Sequence, residues 1–349
     1  MCRLAIVILN WNGVGMLRSY LPSVVRSSQG EGIDVIVADN GSTDGSLQML
    51  TEEFPNVRQI PLDHNYGFAE GYNQALKQVD AQYYMLLNSD VELRQAECLQ
   101  PMLQYMDNHP ECAACQPKLL SLLHPEKFEY AGAAGGYIDR YGYPYCRGRI
   151  FDTVEDDRGQ YDEIVPLHWA TGAALMVRAD LYWQVGGLDG SFFAHMEEID
   201  LCWRLRRAGY QIVCVSQSKA YHLGGATLNQ GNPRKTYLNF RNNIKMLRKN
   251  LPAKESRKVL LMRAVLDTVA AVKFVLTGDV QNAKAIRRAW KDALDKSLSP
   301  LPVPQKGKDE HPQNNENRSI EGDIEGVSST FLLWQYYFLR HKTYSQLKK

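Results

Sequence analysis

Four short runs in the first quarter of the chain, LAIVIL (4–9), DVIVAD (34–39), VRQIPL (57–62) and YYMLLN (83–88), are apolar at successive positions rather than alternating ones. A strand that is apolar on both faces needs cover on both sides, as in a mostly parallel sheet between layers of helix. The intervening segments supply that cover. Helical patterns run around Leu17–Ser27, Ser46–Phe54, Phe68–Val79 and Ala96–Asn108, with Pro22 predicting a break or kink in the first. Strand–helix alternation of this kind predicts a doubly wound α/β domain.

From about Pro110 the pattern loosens. AGAAGGYIDRYGYPY reads as loops and short strands and HWATGAALMVR as a strand. EEIDLCWRLRRAGY reads as a helix stopped by Gly209, and QIVCV as a further strand. Residues 233–296 are helical by pattern and basic: from Arg234 to Arg263 the one acid is Glu255. The stretch 298–326 is polar, rich in Pro, Asn, Glu and Gly, and is expected to be a disordered linker. An apolar-aromatic segment, FLLWQYYFLRHK, closes the chain.

Charge and cysteine usage narrow the setting. A net charge of +1 over 349 residues gives no global pull toward nucleic acid, so no nucleic-acid partner is expected. Seven scattered cysteines fit a reducing compartment, and the lone CxxC at Cys112–Cys115 reads as structural. The opening apolar run is too short for a signal peptide. Val259–Leu276, the nearest thing to a membrane span, carries Arg263, Asp267 and Lys273. The expected location is cytoplasmic, with membrane contact confined to the inner surface of the cytoplasmic membrane. The basic run from 234 to 263 is either a solvated helical face or a platform for anionic headgroups.

In an open α/β sheet, ligands bind beyond the carboxyl ends of the strands. The four strands deliver Asn10-Trp11-Asn12, Asp39-Asn40-Gly41-Ser42-Thr43-Asp44, Asn65-Tyr66-Gly67 and Asn88-Ser89-Asp90 to that edge. One such group is a turn; four in register describe a nucleotide cleft. A dehydrogenase would need GxGxxG after the first strand, but Asn12-Gly13-Val14-Gly15 runs on to Arg18.

The runs VILNWNG, VADNGSTDGS, NYGFAEGYNQAL, LLNSDVEL, WATGAALMVR and EEIDLCWRLRRAGY, in that order, resemble the successive motifs of family 2 glycosyltransferases, in particular the bacterial rhamnosyltransferase-like subgroup. The resemblance covers roughly residues 4 to 250. It implies a GT-A fold, Rossmann-like with a doubly wound, mostly parallel sheet, over residues 1–228. A basic helical extension (229–297), the polar linker (298–326) and an amphipathic end (327–349) would follow.

The resemblance also implies roles. Asp39 would bind the base or ribose of a nucleotide, in a pocket lined by Asn10, Trp11, Asn65, Gly67, Asn73 and Asn88. Asp90 stands where the family's DxD motif ends, and with His222 would hold a divalent cation, Mn²⁺ or Mg²⁺. Asn88 departs from the motif's first acid and is assigned to ribose. Glu198 is the first choice for the base that deprotonates the acceptor, then Asp200, with Glu197 beside them at a helix start. Trp169 and Thr171 would face the acceptor, although core packing serves Trp169 equally well. The implied activity is inverting transfer from a dTDP- or UDP-sugar to a glycan, lipid-linked, in surface polysaccharide synthesis. A non-catalytic sugar-nucleotide-binding protein and a sugar nucleotidyltransferase are the alternatives.

Overall fold

The computed structural model describes residues 2–224, 231–295 and 328–347. Strands β1 (Cys2–Asn10), β2 (Ile33–Asn40), β3 (Arg58–Leu62) and β4 (Ala81–Leu87) pair in parallel in the order β3-β2-β1-β4. Leu4, Ile6 and Ile8 of β1 face one core layer, and Ala5 and Val7 the other. That division is the physical meaning of the doubly apolar runs. Helices α1 (Val14–Ser27), α2 (Ser46–Glu53) and α4 (Gln100–Asn108) cover the first face; α3 (Gly67–Leu76) covers the second. Helix α1 runs unbroken through Pro22.

The sheet continues from β4 through β11 (Ala174–Arg178), β6 (Cys112–Ser121), β12 (Gln211–His222) and the two-residue β5 (Val91–Glu92). β11 runs antiparallel to both neighbours, while β6 and β12 are parallel. β6 contains Gln116, Pro117 and Lys118, which hid it in the sequence. Pro117 is tolerated because the β6–β12 pairing shifts register between Val215 and Lys219, where a missing N–H costs no ladder bond. Lys118 is buried on Asp157 (3.0 Å) and Asp162. The CxxC cysteines lie buried in β6 as free thiols pushed up by burial, consistent with a structural role.

A second, four-stranded antiparallel sheet, β7 (Gly136–Ile138), β8 (Pro144–Cys146), β9 (Arg149–Ile150) and β10 (Thr153–Val154), lies between β6 and β11 in the chain. After α5 (Ala179–Gln184) and α6 (Glu197–Arg207), the basic region folds into α7 (Pro233–Asn250), α8 (Ala253–Leu276) and α9 (Val280–Ala293). Residues 328–347 form a strap over the small sheet: Leu332 is fully buried, with its N–H on Asp139, and the Tyr344 ring stacks on Tyr137. The expected linker at 298–326 lies outside the described residues.

Candidate active site

The carboxyl edge of β1 and β2 is built around Asp39 and Asn10, both buried. Asn10 Nδ2 donates to Asp39 Oδ1 (2.9 Å) and the other Asp39 oxygen takes the Ser42 N–H (2.9 Å), which fixes the 39–42 turn. Asn10 Oδ1 is buried without a partner. It sits 2.5 Å from where a Cβ on Gly13 would stand, and Ser89 Oγ lies 3.8 Å from the same point. The ends of β1 and β4 therefore meet there. Trp11 is half exposed at this edge, free to stack on a flat ligand.

Two residues expected in this pocket serve the frame instead. Asn73 gives both ends of its amide to Leu188 (2.7 and 3.1 Å) and accepts the Tyr182 hydroxyl (2.7 Å). Gly67, at φ +81°, lies against the Phe193 ring, and a Cβ there would fall 2.5 Å from it. Asn65 holds the corner, accepting from Asn40 Nδ2 (3.1 Å) and the Gly67 N–H (2.8 Å).

The second half of the site follows from one pairing. β5 begins immediately after Asp90 and is antiparallel to the end of β12, with Val91 opposite His222. His222 is thereby brought across 132 residues so that its Nε2 lies 3.1 Å from Asp90 Oδ1, with Asn88 Nδ2 at 3.4 Å. On its other side, Nδ1 is 3.3 Å from Glu129 Oε1, off hydrogen-bond alignment. Burial alone would lower the His222 pKa, but the hydrogen bond to Asp90 and the nearby Glu129 carboxylate outweigh it and push it up to about 10. Burial likewise raises Asp90, and the His222 contact more than reverses this, leaving the carboxyl below its ordinary range.

Among the described residues no three His, Cys, Asp or Glu side chains converge as a closed metal cage. Asp90 and His222 nevertheless stand side by side at the sheet edge, two groups able to ligate a cation. That suits Mg²⁺ or Mn²⁺, which take few protein ligands and fill the remainder with phosphate oxygens and water. Glu129 stands where a carboxylate orients a ligating imidazole from behind.

Across the 171–173 turn stands the acidic pair. The Asn88 N–H donates to the Ala173 carbonyl (3.0 Å). One residue away, Glu198 Cβ and Cγ lie 3.5 and 3.6 Å from the point above Gly172 where a Cβ would sit. Glu198 Oε2 is shut off from solvent without a partner, and burial pushes this carboxyl up to about 7. Glu197 is buried beside it and raised further, by burial and then by the Glu198 charge.

The two acids follow a contorted loop, in which Phe193 (φ +66°), His195 (+71°) and Met196 (+73°) are all left-handed and none is glycine. Such strain persists only where the surroundings over-determine it. Asn242 of α7, fully buried, does so by reaching the carbonyls of Phe192, Ala194 and His195 at 3.0, 2.8 and 2.7 Å. Burial, then the Lys235 charge, lowers His195 to about 4.

Three further expectations need correction. Asp200 is not placed to act as a base: it is fully buried, bonded to Arg204 (2.8 Å), Lys249 (2.8 Å) and Asn250 (2.7 Å). At the fourth position of α6, two residues and about 200° round the helix from Glu198, it points into the protein. Trp169 packs over Gly136 and donates to the Tyr137 carbonyl (3.0 Å), so it is core. Thr171 is buried against Gly132 and takes the Ala173 N–H (3.2 Å), so it shapes the turn rather than facing a ligand. The sequence reading missed Glu129, His195 and Lys235. Lone acids and bases in irregular segments carry no periodic signal, and only the folded chain gathers them.

Residues 5–124 match the family model described as glycosyl transferase family 2. Over that stretch the chain is similar to family 2 glycosyltransferases. Over 233 residues it is 26% identical to the N-acetylglucosaminyl-diphospho-decaprenol L-rhamnosyltransferase of Mycobacterium tuberculosis, covering 63% of this chain and 75% of that protein. The chain shares the GT-A fold of solved structures. TarS 1–349 of S. aureus in complex with UDP-GlcNAc superposes with a TM-score of 0.55 at 14% identity, covering 83% of this chain and 80% of that one. GalNAc-T7 with UDP, GalNAc and Mn²⁺ gives 0.55 at 12% identity, covering 71% of this chain and 48% of that one.

Proposed function

We propose that this glycosyltransferase moves a sugar, with inversion, from a nucleoside-diphosphate donor of the dTDP-rhamnose or UDP-hexose type to a hydroxyl of a lipid-linked glycan. The observation that carries the reading is Glu198: a carboxyl with one unpartnered, solvent-shielded oxygen, across the Gly172–Ala173 turn from Asn88–Asp90. The rhamnosyl and diphospho-lipid terms in the name of the mycobacterial relative support the choice of donor and acceptor.

In this mechanism Asp39, Asn10 and Trp11 receive the nucleoside. A divalent cation held by Asp90 and His222 would neutralise charge gathering on the leaving diphosphate. Glu198 takes the proton from the acceptor hydroxyl as its oxygen bonds to the anomeric carbon. The bond from that carbon to the diphosphate oxygen breaks with its electron pair, releasing the nucleoside diphosphate and inverting the centre. Burial holds Glu198 more basic than an isolated carboxylate.

The test is release of nucleoside diphosphate from a panel of dTDP- and UDP-sugars with Mn²⁺ present. One donor should be turned over by the wild type and not by Asp90→Ala. Failure of every donor to bind or react would end the reading.

A further inference from the structure

Helix α8 is inside-out. Its buried positions include Ser256, Arg263 and Asp267, and the last two form an ion pair (3.2 Å) on the protein-facing side. Its outward positions are apolar: Leu261, Val265, Val269, Val272 and Leu276, between 51% and 82% exposed. The spacing i, i+4, i+8, i+11, i+15 places all five on one face, in a stripe about 22 Å long. Val275 and Met262 flank it. Single exposed apolar side chains are ordinary, but a continuous stripe marks a contact surface. Valine is also a poor choice for a water-facing helical position on propensity alone.

Charge identifies what covers the stripe. Residues 233–293 hold fifteen Lys and Arg against four Asp and Glu, in a chain whose net charge is +1. Several of these bases are consumed within the protein: Arg241 on the Phe192 carbonyl, Lys249 on Asp189 and Asp200, Arg248 on the Ala293 carbonyl. Others are not. Lys254, Arg257 and Lys258 are exposed in the first turns of α8, on the same helical face as the stripe, and Lys273 borders its far end. A second copy of this chain would bring another strongly positive segment to the contact. An anionic lipid surface brings the opposite sign and an apolar layer beneath it. Among the described residues no helix is long and apolar enough to cross a membrane, so the contact lies in the membrane plane.

We infer that the outward face of α8 is a docking surface for anionic lipid, with Leu261, Val265, Val269, Val272 and Leu276 entering the interface and Lys254, Arg257 and Lys258 meeting headgroups. The inference does not rest on the transfer chemistry proposed above, and its test uses no donor or acceptor.

The full chain is sedimented with phosphatidylcholine vesicles, with and without phosphatidylglycerol, at low and high salt. Binding is expected only with phosphatidylglycerol, and weaker at high salt. Val269→Asp with Leu276→Asp should abolish it while leaving the thermal melt unchanged, because both side chains stand in solvent. Neutralising Lys254, Arg257 and Lys258 with Gln should weaken it roughly fivefold per base. Failure to bind any vesicle, or undiminished binding by the Asp variant, overturns the inference. So does light scattering that shows a wild-type dimer made monomeric by the Asp variant, since the stripe would then join two copies.

Discussion

At the scale of single residues, the site depends on carboxyls held away from water. Folding raises both Glu197 and Glu198 above the ordinary 4.5 of a free glutamic acid. A carboxyl raised in the folded state favours that state while protonated, so its contribution is complete below about 4.5 and is lost as pH climbs through the folded value. In the proposed mechanism the same ionisation of Glu198 supplies the base. Activity should therefore rise with pH through about 7 while stability declines over the same interval. Glu198→Gln should lower kcat by a factor on the order of 10² to 10⁴ and remove the acidic limb from the rate profile. It should also be more stable than the wild type above neutrality, read by urea unfolding at several pH values. A variant that keeps the acidic limb would remove Glu198 from the reaction. Glu129 acts one step further out, behind His222. Glu129→Gln should weaken Mn²⁺ binding about 10- to 100-fold, followed by the paramagnetic resonance of the free ion, with nucleotide binding in metal-free buffer unchanged.

At the scale of elements, the basic run behaves as neither a solvated face nor a platform throughout. Helix α7 turns inward and braces the 192–195 loop, α8 presents its apolar stripe outward, and α9 packs against both. Asn242→Leu keeps the size of the side chain while deleting bonds to three carbonyls, each worth about 0.5–1.5 kcal/mol and more when the group left behind is buried. The expected result is a loss of about 2–4 kcal/mol in unfolding free energy and a fall in kcat larger than any change in KM, because the loop that aims Glu198 relaxes. Equal kcat in variant and wild type would mean that the contorted loop does not position the acids. The strands that deliver Asn10, Asp39 and Asn88 were legible because double-sided apolarity is a local property of six or seven residues. β6 was not, because Pro117 and Lys118 are admitted by a register shift and by acids 39 and 44 residues away. Asp200 and Glu198 are likewise alike in sequence. What separates them is the side of α6 on which Lys249 and Asn250 arrive from α7.

At the scale of the whole molecule, the helical extension and the small β7–β10 sheet are joined through buried charge. Arg263 of α8 pairs with Asp267 (3.2 Å) and donates to the Tyr141 carbonyl (3.0 Å) and to Asn243 of α7. Asp267 in turn takes the Trp290 Nε1–H of α9 (3.0 Å) and the Tyr143 hydroxyl (3.3 Å). Three helices and the turn before β8 thus meet at one ion pair with almost no solvent access. The Tyr141 ring of that turn packs edge-on against Phe331 of the strap, 4.9 Å between centres, so the C-terminal segment closes over the same joint. A buried pair is weak evidence for net stability, yet removing one partner leaves the other uncompensated. Asp267→Ala should therefore cost about 3–5 kcal/mol, whereas Arg263→Met with Asp267→Leu should recover most of that loss by replacing charge with apolar volume. Each unfolding transition can be followed through tryptophan fluorescence, to which Trp290 at the joint contributes. If the pair matters only for packing, the double variant will match the wild type in stability, activity and vesicle binding alike. If it sets the angle of α8, stability will return while vesicle binding does not.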